Sequence, residues 1–190
     1  MTATAEPELG RSRKRKEDAR LITGRTRWTD NLAPSGTLHL AILRSPMAHA
    51  KITAIDTDEA RQAPGVMAVV TGRDIADVQG SLPCAWPITE DMKAPAAPPM
   101  AVDEVCFAGE AVAIVAARSA AEARDAMDLI DVDYEDLPVV LDMPSAIEPG
   151  APLVHEDLGT NTNAVWTFDS ADAGTGGDVE QALAGAEVRV

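Results

Sequence analysis

The chain has 190 residues and a mass of 20.0 kDa, enough for one ordinary domain with a sizeable core and an arm at either end. Its 46% hydrophobic content is typical of a globular domain, but only 3% of the residues are aromatic, so the core must consist mainly of Ala, Val, Ile, Leu and Met. The net charge of -15 repels phosphate groups and argues against nucleic acid or an anionic lipid surface as a partner.

Residues 1–33 are predicted to form a basic, extended arm, followed by a turn at Ala33-Pro34-Ser35-Gly36. Residues 1–27 hold eight Lys or Arg and four Asp or Glu, whereas the rest of the chain is strongly acidic. The basic run at 13–16 could suggest nucleic-acid binding, but no aromatic residues are interleaved with it. A solvated arm, or one that docks on an acidic partner, is favoured.

A first strand-helix-strand unit is predicted after the arm. Period-two apolar alternation predicts strands at 38–42 and 51–55, which could be neighbours, and a third strand at 66–70. A short helix between the last two is expected to begin at Asp56, whose carboxylate can accept hydrogen bonds from free backbone N–H groups, and to stop at Pro64-Gly65.

A second unit of the same order is predicted from strands at 111–116 and 130–134 and a helix capped by Ser119 and Glu122. The two units are joined by residues 80–101, which contain five prolines and are expected to form a long surface loop. A loop of this length is expected to pack on something else or to be mobile. Together these features predict an α/β (α+β) domain at 34–145.

Residues 146–190 are predicted to be a linker followed by the truncated start of another domain. The glycine-rich segment 174–177 resembles a linker, and Asp178 with Gln181 is expected to cap a helix. An apolar alternation begins at 188–190, where the sequence ends, as if a strand were interrupted.

No residue of the chain is assigned a catalytic, cofactor-binding or metal-binding role from sequence. The three histidines do not have the spacing of a metal site, and neither cysteine has a histidine nearby in sequence to activate it. The acidic run at 128–136 lacks the glycine of a calcium loop and is interpreted as a solvated face, and the GTGGD segment lacks a phosphate-binding pattern. Exposure is expected for His39 and Cys84, burial for Cys106, and a tight turn with local pairing for Gly109-Glu110. The residues discussed are His39, His49, His155, Cys84, Cys106, Gly109 and Glu110.

The cysteine content favours a reducing compartment, and the cytoplasm is expected. Only Cys84 and Cys106 are present, which is too few for a disulfide framework. No apolar run approaches the roughly 20 residues needed to span a bilayer, and the first ten residues lack a signal-peptide core.

Four segments resemble, in order, the start of the large subunits of the xanthine dehydrogenase, aldehyde oxidase and aerobic carbon monoxide dehydrogenase family. They are RKEDARLITGRTRWTDNL (15–32), LHLAILRSPMAHAKITAIDTDEARQAPGVMAVVTGRD (38–74), VCFAGEAVAIVAARSAAEARDA (105–126) and VDYEDLPVVLD (132–142). The chain departs from the usual pattern at Thr26 (commonly Gly), Asn31 (often Asp) and Met47 (commonly His). Within the family, the sequence of residues 146–161 as a whole resembles the carbon monoxide dehydrogenase subtype.

The resemblance implies an α/β hammerhead domain from a molybdenum-dependent oxidoreductase. It implies a molybdopterin-type cofactor in the full-length subunit, with FAD and 2Fe-2S clusters in partner subunits. The family's pterin-contacting, substrate-orienting and base residues lie in later domains, so the 190-residue chain is expected to be inactive by itself and to have a structural and assembly role. The alternative is a stand-alone scaffold or binding module that keeps the hammerhead fold without catalysis.

Overall fold

The structure is a computed structural model and describes Gly10 and residues 12–84, 86–167, 169 and 178–188. Its backbone contacts form two compact units, Met1–Leu38 and His39–Val190. The predicted glycine-rich linker at 174–177 lies outside the described residues, and so do Arg189 and Val190 of the predicted interrupted strand. The predicted domain boundaries after residues 33 and 145 stay predictions.

The arm was expected to be extended, but the described part of the first unit contains a short helix. Helix α1 spans Asp18–Ile22, and the Asp18 carboxylate accepts a hydrogen bond from the Arg15 N–H at 3.0 Å. A 3-10 turn follows at Thr29–Asn31. The predicted turn is present, since the Thr37 N–H donates to the Pro34 carbonyl. The acidic Asp18 in the first turn favours the helix start by interacting with the helix dipole.

The described residues of the second unit contain six strands in two antiparallel sheets. The strands are β1 (His39–Arg44), β2 (Ala50–Asp56), β3 (Val66–Thr71), β4 (Glu104–Val105), β5 (Ala111–Ala117) and β6 (Asp131–Asp136). One sheet has the order β1-β5-β3 and the other has the order β4-β2-β6. The mixed strands and helices, in the predicted order, confirm the α+β fold class.

In the described part of this unit, four helices accompany these strands: α2 (Asp58–Gln62), α3 (Ala120–Met127), α4 (Met143–Ala146) and α5 (Val179–Ala184). The predicted side-chain caps are present at α3 and α5, whereas the N-cap of α2 is Thr57, whose side chain makes no capping hydrogen bond. The Asp56 carboxylate accepts from the Asp58 N–H at 2.9 Å, Ser119 Oγ from the Glu122 N–H at 3.2 Å, and Asp178 from the Gln181 N–H at 3.2 Å. The Asp56 bond thus lies just outside the cap position of α2, which begins two residues later than predicted.

The expectation that β1 and β2 are neighbours is wrong, because they belong to different sheets. Each strand-helix-strand unit sends its two strands into different sheets, so the pairing runs between the units. Strand β3 of the first unit pairs with β5 of the second, and β2 pairs with β6. The two units are therefore interlocked, and neither has a sheet of its own.

Small aliphatic residues fill the core, as the composition predicts. One cluster lies between the β1-β5-β3 sheet and helices α2 and α3, and it contains Ala60, Val69, Ala113, Val115, Ala126 and Ile130. A second cluster packs on the other sheet and contains Ala50, Ile52, Ala101, Val105 and Val112. Because alanine is small, the helices can approach the sheet closely. This close packing compensates for the small number of large aromatic side chains in the core.

The proline-rich loop makes hydrogen bonds within itself and to a later segment of the chain. The Leu82 N–H donates to the Ala97 carbonyl at 2.9 Å, which closes the loop across its width. The Lys93 N–H donates to the Asn163 carbonyl, also at 2.9 Å. At the end of the loop, Met100 is only 2% exposed. The loop is thus anchored at its return to the sheet.

The β1-β5-β3 sheet is covered by helices on one face and has apolar residues on the other. The register aligns Leu40 with Ala116 and Ile42 with Ile114 on this second face, where Ala68 and Val70 of β3 also align with the same β5 residues. Leu40 is 64% exposed and Ile42 is 40% exposed. We call these six residues, Leu40, Ile42, Ala68, Val70, Ile114 and Ala116, the open face.

Among the described residues, no helix is long and apolar enough to cross a membrane.

Asp74 joins the end of β3 to helix α2. Its carboxylate accepts hydrogen bonds from the Thr71 N–H at 2.8 Å and the Thr71 hydroxyl at 2.9 Å, and Arg61 lies 3.5 Å away. The Thr71 N–H, the Thr71 hydroxyl and the Arg61 charge hold the pKa of Asp74 below its usual value of 3.8. The carboxylate form is therefore the one that the folded chain stabilises.

We predict that Asp74→Asn lowers the free energy of unfolding by about 1 kcal/mol at pH 7, a modest value because the carboxylate is half exposed. A depressed folded pKa gives stability that is present above pH 3.8 and lost as pH falls through the folded pKa. The gap between the wild-type and variant urea midpoints should therefore narrow below pH 3.8. Asp125→Asn, at an exposed position of α3, is the control. A gap that stays constant with pH would contradict the assignment.

Candidate functional site

Three side chains of different chemistry converge beside the β4-β2-β6 sheet. The Nε2 atom of His49, a carboxylate oxygen of Glu104 and Sγ of Cys106 all lie within 4.8 Å of one another. His155 Nδ1 lies 4.0 Å from the same sulfur. We call His49, Glu104 and Cys106 the His-Glu-Cys cluster. No role was assigned to these residues from sequence, because His49 lies far along the chain from Glu104 and Cys106.

Strand register brings the cluster together. Strands β2 and β4 are antiparallel, with Ala50 opposite Val105 and Lys51 opposite Glu104. Extending this register by one residue places His49 opposite Cys106. Two residues that are distant in sequence are thus neighbours at the end of one short strand pair.

His49 is held firmly by both ring nitrogens. It is 7% exposed, with Nδ1 2.7 Å from the Pro138 carbonyl and Nε2 3.0 Å from Glu104 Oε1. A carbonyl oxygen can only accept, so Nδ1 carries a proton. Burial by itself would lower the pKa of His49, but the Pro138 carbonyl and the Glu104 carboxylate outweigh it and raise the pKa above 6.5. Nε2 is thereby oriented towards Glu104.

Cys106 is a protonated thiol at neutral pH and is not an activated nucleophile. Burial, then the charges of Glu110 and Glu104, raise the pKa of its thiol to about 11. Sequence alone found no histidine near Cys106, whereas the fold brings His155 within 4.0 Å of it. Because the surrounding carboxylates oppose a thiolate, this proximity does not make a Cys-His nucleophile pair.

We predict that iodoacetamide alkylates Cys84 of this chain long before it alkylates Cys106. Cys84 is exposed, while a thiol with a pKa of about 11 reacts at pH 8 about a hundredfold more slowly than an ordinary exposed one. Peptide mapping by mass spectrometry measures the two rates in the same sample. The Cys106 rate should rise steeply up to about pH 11. Equal rates at pH 8 would show that the carboxylates do not suppress the thiolate.

Two clefts meet at Cys106 and Phe107, which line both of them. The larger has a volume of about 410 Å³ and lies between the proline-rich loop and the open-face residues Ile42 and Ile114. The smaller, of about 280 Å³, is also lined by His49. The cluster is therefore reachable from an apolar cleft rather than sealed in the core.

The other residues considered from sequence are placed as follows. His39 is exposed on β1, and the carboxylates of the run at 128–136 are all exposed. Gly109 has a φ of +97°, and the Glu110 carboxylate accepts from the Cys106 N–H at 2.7 Å, which confirms the expected turn and local pairing. Cys106 is only half-buried, just after β4, so the expectation of a buried thiol within a strand is wrong. The strand ends there because the chain turns towards Gly109.

Comparison with known proteins identifies the family of this fold. Residues 23–138 match the family described as aldehyde oxidase and xanthine dehydrogenase, a/b hammerhead domain. The chain belongs to this family. The expected resemblance is thereby confirmed, including the hammerhead fold that it implied.

Individual relatives agree with this assignment. The chain is 37% identical to the nicotine 6-hydroxylase large subunit of Paenarthrobacter nicotinovorans over 94% of its own length and 21% of that protein's. Among solved structures, quinoline 2-oxidoreductase from Pseudomonas putida 86 is 40% identical with a TM-score of 0.74, over 84% of this hammerhead chain and 20% of that one. The Cu,Mo-CO dehydrogenase is 35% identical with a TM-score of 0.67, over 81% and 19%. The hammerhead chain thus spans about a fifth of the length of the relatives it matches.

The His-Glu-Cys cluster does not fit the molybdopterin cofactor that the family implies. That cofactor carries an anionic phosphate, which requires N–H or guanidinium donors. The cluster instead presents the carboxylates of Glu104 and Glu110 around a thiol whose pKa they raise. No catalytic step through molybdopterin is derived for these residues.

Proposed function

We propose that this chain is the hammerhead portion of a molybdenum hydroxylase large subunit and that its role is structural. The main support for this proposal is the open face. Two rows of apolar side chains lie there, on a sheet whose opposite face is already covered by helices. A contiguous exposed apolar face of this kind is typical of a surface that packs on another domain. The occupant that we propose is the remainder of the same subunit, which makes up about four-fifths of the relatives' length.

The range of relatives supports a structural role. A nicotine hydroxylase, a quinoline oxidoreductase and a Cu,Mo-CO dehydrogenase have different substrates in their names, yet each is 35–40% identical to this chain. A region shared so evenly among enzymes with different substrates is better suited to holding the subunit together than to choosing a substrate. The whole protein would be a molybdenum-dependent oxidoreductase, with FAD and 2Fe-2S clusters in partner subunits, located in the cytoplasm. The chain by itself would be inactive.

The first test is the intact mass and molybdenum content of the native polypeptide, captured with an antibody against this chain. We expect a mass several times 20 kDa and about one molybdenum per polypeptide. A native polypeptide near 20 kDa without molybdenum would overturn the proposal. It would favour the alternative of a stand-alone scaffold with the hammerhead fold.

A second prediction tests the open face directly in the molybdenum-containing subunit. Leu40→Glu with Ile42→Glu places two charges on the face, and we expect at least a tenfold loss of assembled, molybdenum-loaded subunit, measured by gel filtration and metal analysis. The control is His39→Glu, on the same strand but outside the face. In the 190-residue chain the double variant should unfold at nearly the wild-type urea concentration, since both side chains are exposed. Normal assembly of the double variant would contradict the docking role.

A further inference from the structure

We propose that His49, Glu104 and Cys106 bind a divalent transition-metal cation of the zinc type as its three protein ligands. Such an ion would clamp the start of β2 to the end of β4, and His155 lies beside it with Nδ1 4.0 Å from the Cys106 sulfur.

The spacing of the ligand atoms fits a small tetrahedral ion. Zinc bonds of about 2.0–2.3 Å to nitrogen, oxygen and sulfur place neighbouring ligands about 3.3–3.8 Å apart. Here His49 Nε2 lies 3.0 Å from Glu104 Oε1, Cys106 Sγ lies 3.8 Å from the same oxygen, and His155 Nδ1 lies 4.0 Å from Sγ. The His49, Glu104 and Cys106 atoms need only small shifts to bind one ion, whereas His155 Nδ1 lies outside the group of atoms within 4.8 Å of one another and would have to move further.

The orientation of His49 also suits a metal ligand. Its Nδ1–H donates to the Pro138 carbonyl at 2.7 Å, so in the neutral ring the lone pair is on Nε2, which faces the Glu104 carboxylate at 3.0 Å. Two acceptors cannot remain at that distance without a positive charge between them. Either a proton or a metal ion supplies it. A backbone carbonyl that fixes the outer nitrogen is also the usual support of a zinc-bound histidine.

The donor set selects the class of ion. A thiolate and an imidazole favour zinc and similar ions over magnesium or calcium, which prefer oxygen ligands only. Glu110 and Asp157 add negative charge near the sulfur, which attracts a cation. On binding, the Cys106 thiol loses its proton to solvent and the sulfur bonds the metal, so one proton is released for each ion bound.

The experiment uses the 190-residue chain without a histidine tag, stripped of metal with a chelator and titrated with Co²⁺. We expect one Co²⁺ per chain, with a near-ultraviolet thiolate-to-cobalt absorption band that one equivalent of Zn²⁺ abolishes. Zn²⁺ should also slow alkylation of Cys106 at least tenfold and leave that of Cys84 unchanged. Both readouts are made on the wild-type chain, so they do not depend on the folding of a variant.

Matched variants locate the ion. Cys106→Ser should remove the cobalt band and His49→Gln should weaken binding at least tenfold, whereas Cys84→Ser and His39→Gln should bind as the wild type does. Absence of the band in the wild-type chain would overturn the proposal, and a proton on His49 would then be the charge beside Glu104. A band that persists in Cys106→Ser but disappears in Cys84→Ser would overturn it as well. Molybdenum content is not a readout here, so failure of this proposal is distinguishable from failure of the proposed function.

Discussion

Gly72→Ala is expected to destabilise the chain by about 2 to 3 kcal/mol, although alanine is an acceptable residue for the backbone angles at this position. A Cβ at Gly72 would lie 1.8 Å from the Ala101 carbonyl oxygen and 2.6 Å from its carbon. These are backbone atoms at the return of the proline-rich loop, and they cannot rotate away. The loop or the end of β3 must therefore shift, and the Ala101 N–H bond to the Ala111 carbonyl would be strained.

The matched control is Gly80→Ala, at the start of the proline-rich loop, where no atom lies within 4 Å of the new Cβ. It should leave stability unchanged or raise it by up to about 1 kcal/mol, because alanine restricts the unfolded chain. Urea unfolding followed by circular dichroism measures both variants. Equal midpoints for the two alanine variants would show that the close approach at Gly72 is not structurally important.

Local elements of this fold could be predicted because their signals are local. Ser119 with Glu122, and Asp178 with Gln181, predict helix starts from residues three apart, and the caps are present. Apolar alternation likewise predicts which residues of a strand share a face. Alternation does not reveal which strand lies beside it, so the pairing of β1 with β5 instead of β2 could not be derived.

The arm shows a local signal that was overlooked. The segment Glu17-Asp18 supplies acidic residues at a helix start, followed by Ala19, Arg20 and Leu21, which favour helices. The basic residues that precede this segment indicate charge and solvation, but they do not oppose a helix. A short helix was therefore predictable at α1, where an extended chain was expected.

The candidate site was beyond sequence reasoning for a physical reason. Its residues reach each other only through the pairing of β2 with β4, a strand of two residues with almost no pattern of its own. Once that register is known, His49 opposite Cys106 follows directly. His155 comes from a region without strands, and no periodicity predicts its approach. The family resemblance does not indicate the cluster either, because the functional residues that it implies lie in later domains.

Met100→Ala is expected to have the largest effect of a side-chain truncation, about 3 kcal/mol. Met100 is among the largest fully buried side chains, and its removal leaves a cavity where the loop returns to the sheet. Met143→Ala is the control: Met143 is 85% exposed, and its loss should change the free energy of unfolding by less than about 0.5 kcal/mol.

The same truncation should reach the candidate site, because Met100 precedes β4 and β4 carries Glu104 next to Cys106. With the loop end loosened, water gains access to the thiol, and the burial that contributes most to its raised pKa is reduced. Cys106 in Met100→Ala should therefore be alkylated several-fold faster than in the wild type, while the Cys84 rate stays constant. A destabilised variant with an unchanged Cys106 rate would mean that the loop anchors the core without holding the cluster in place.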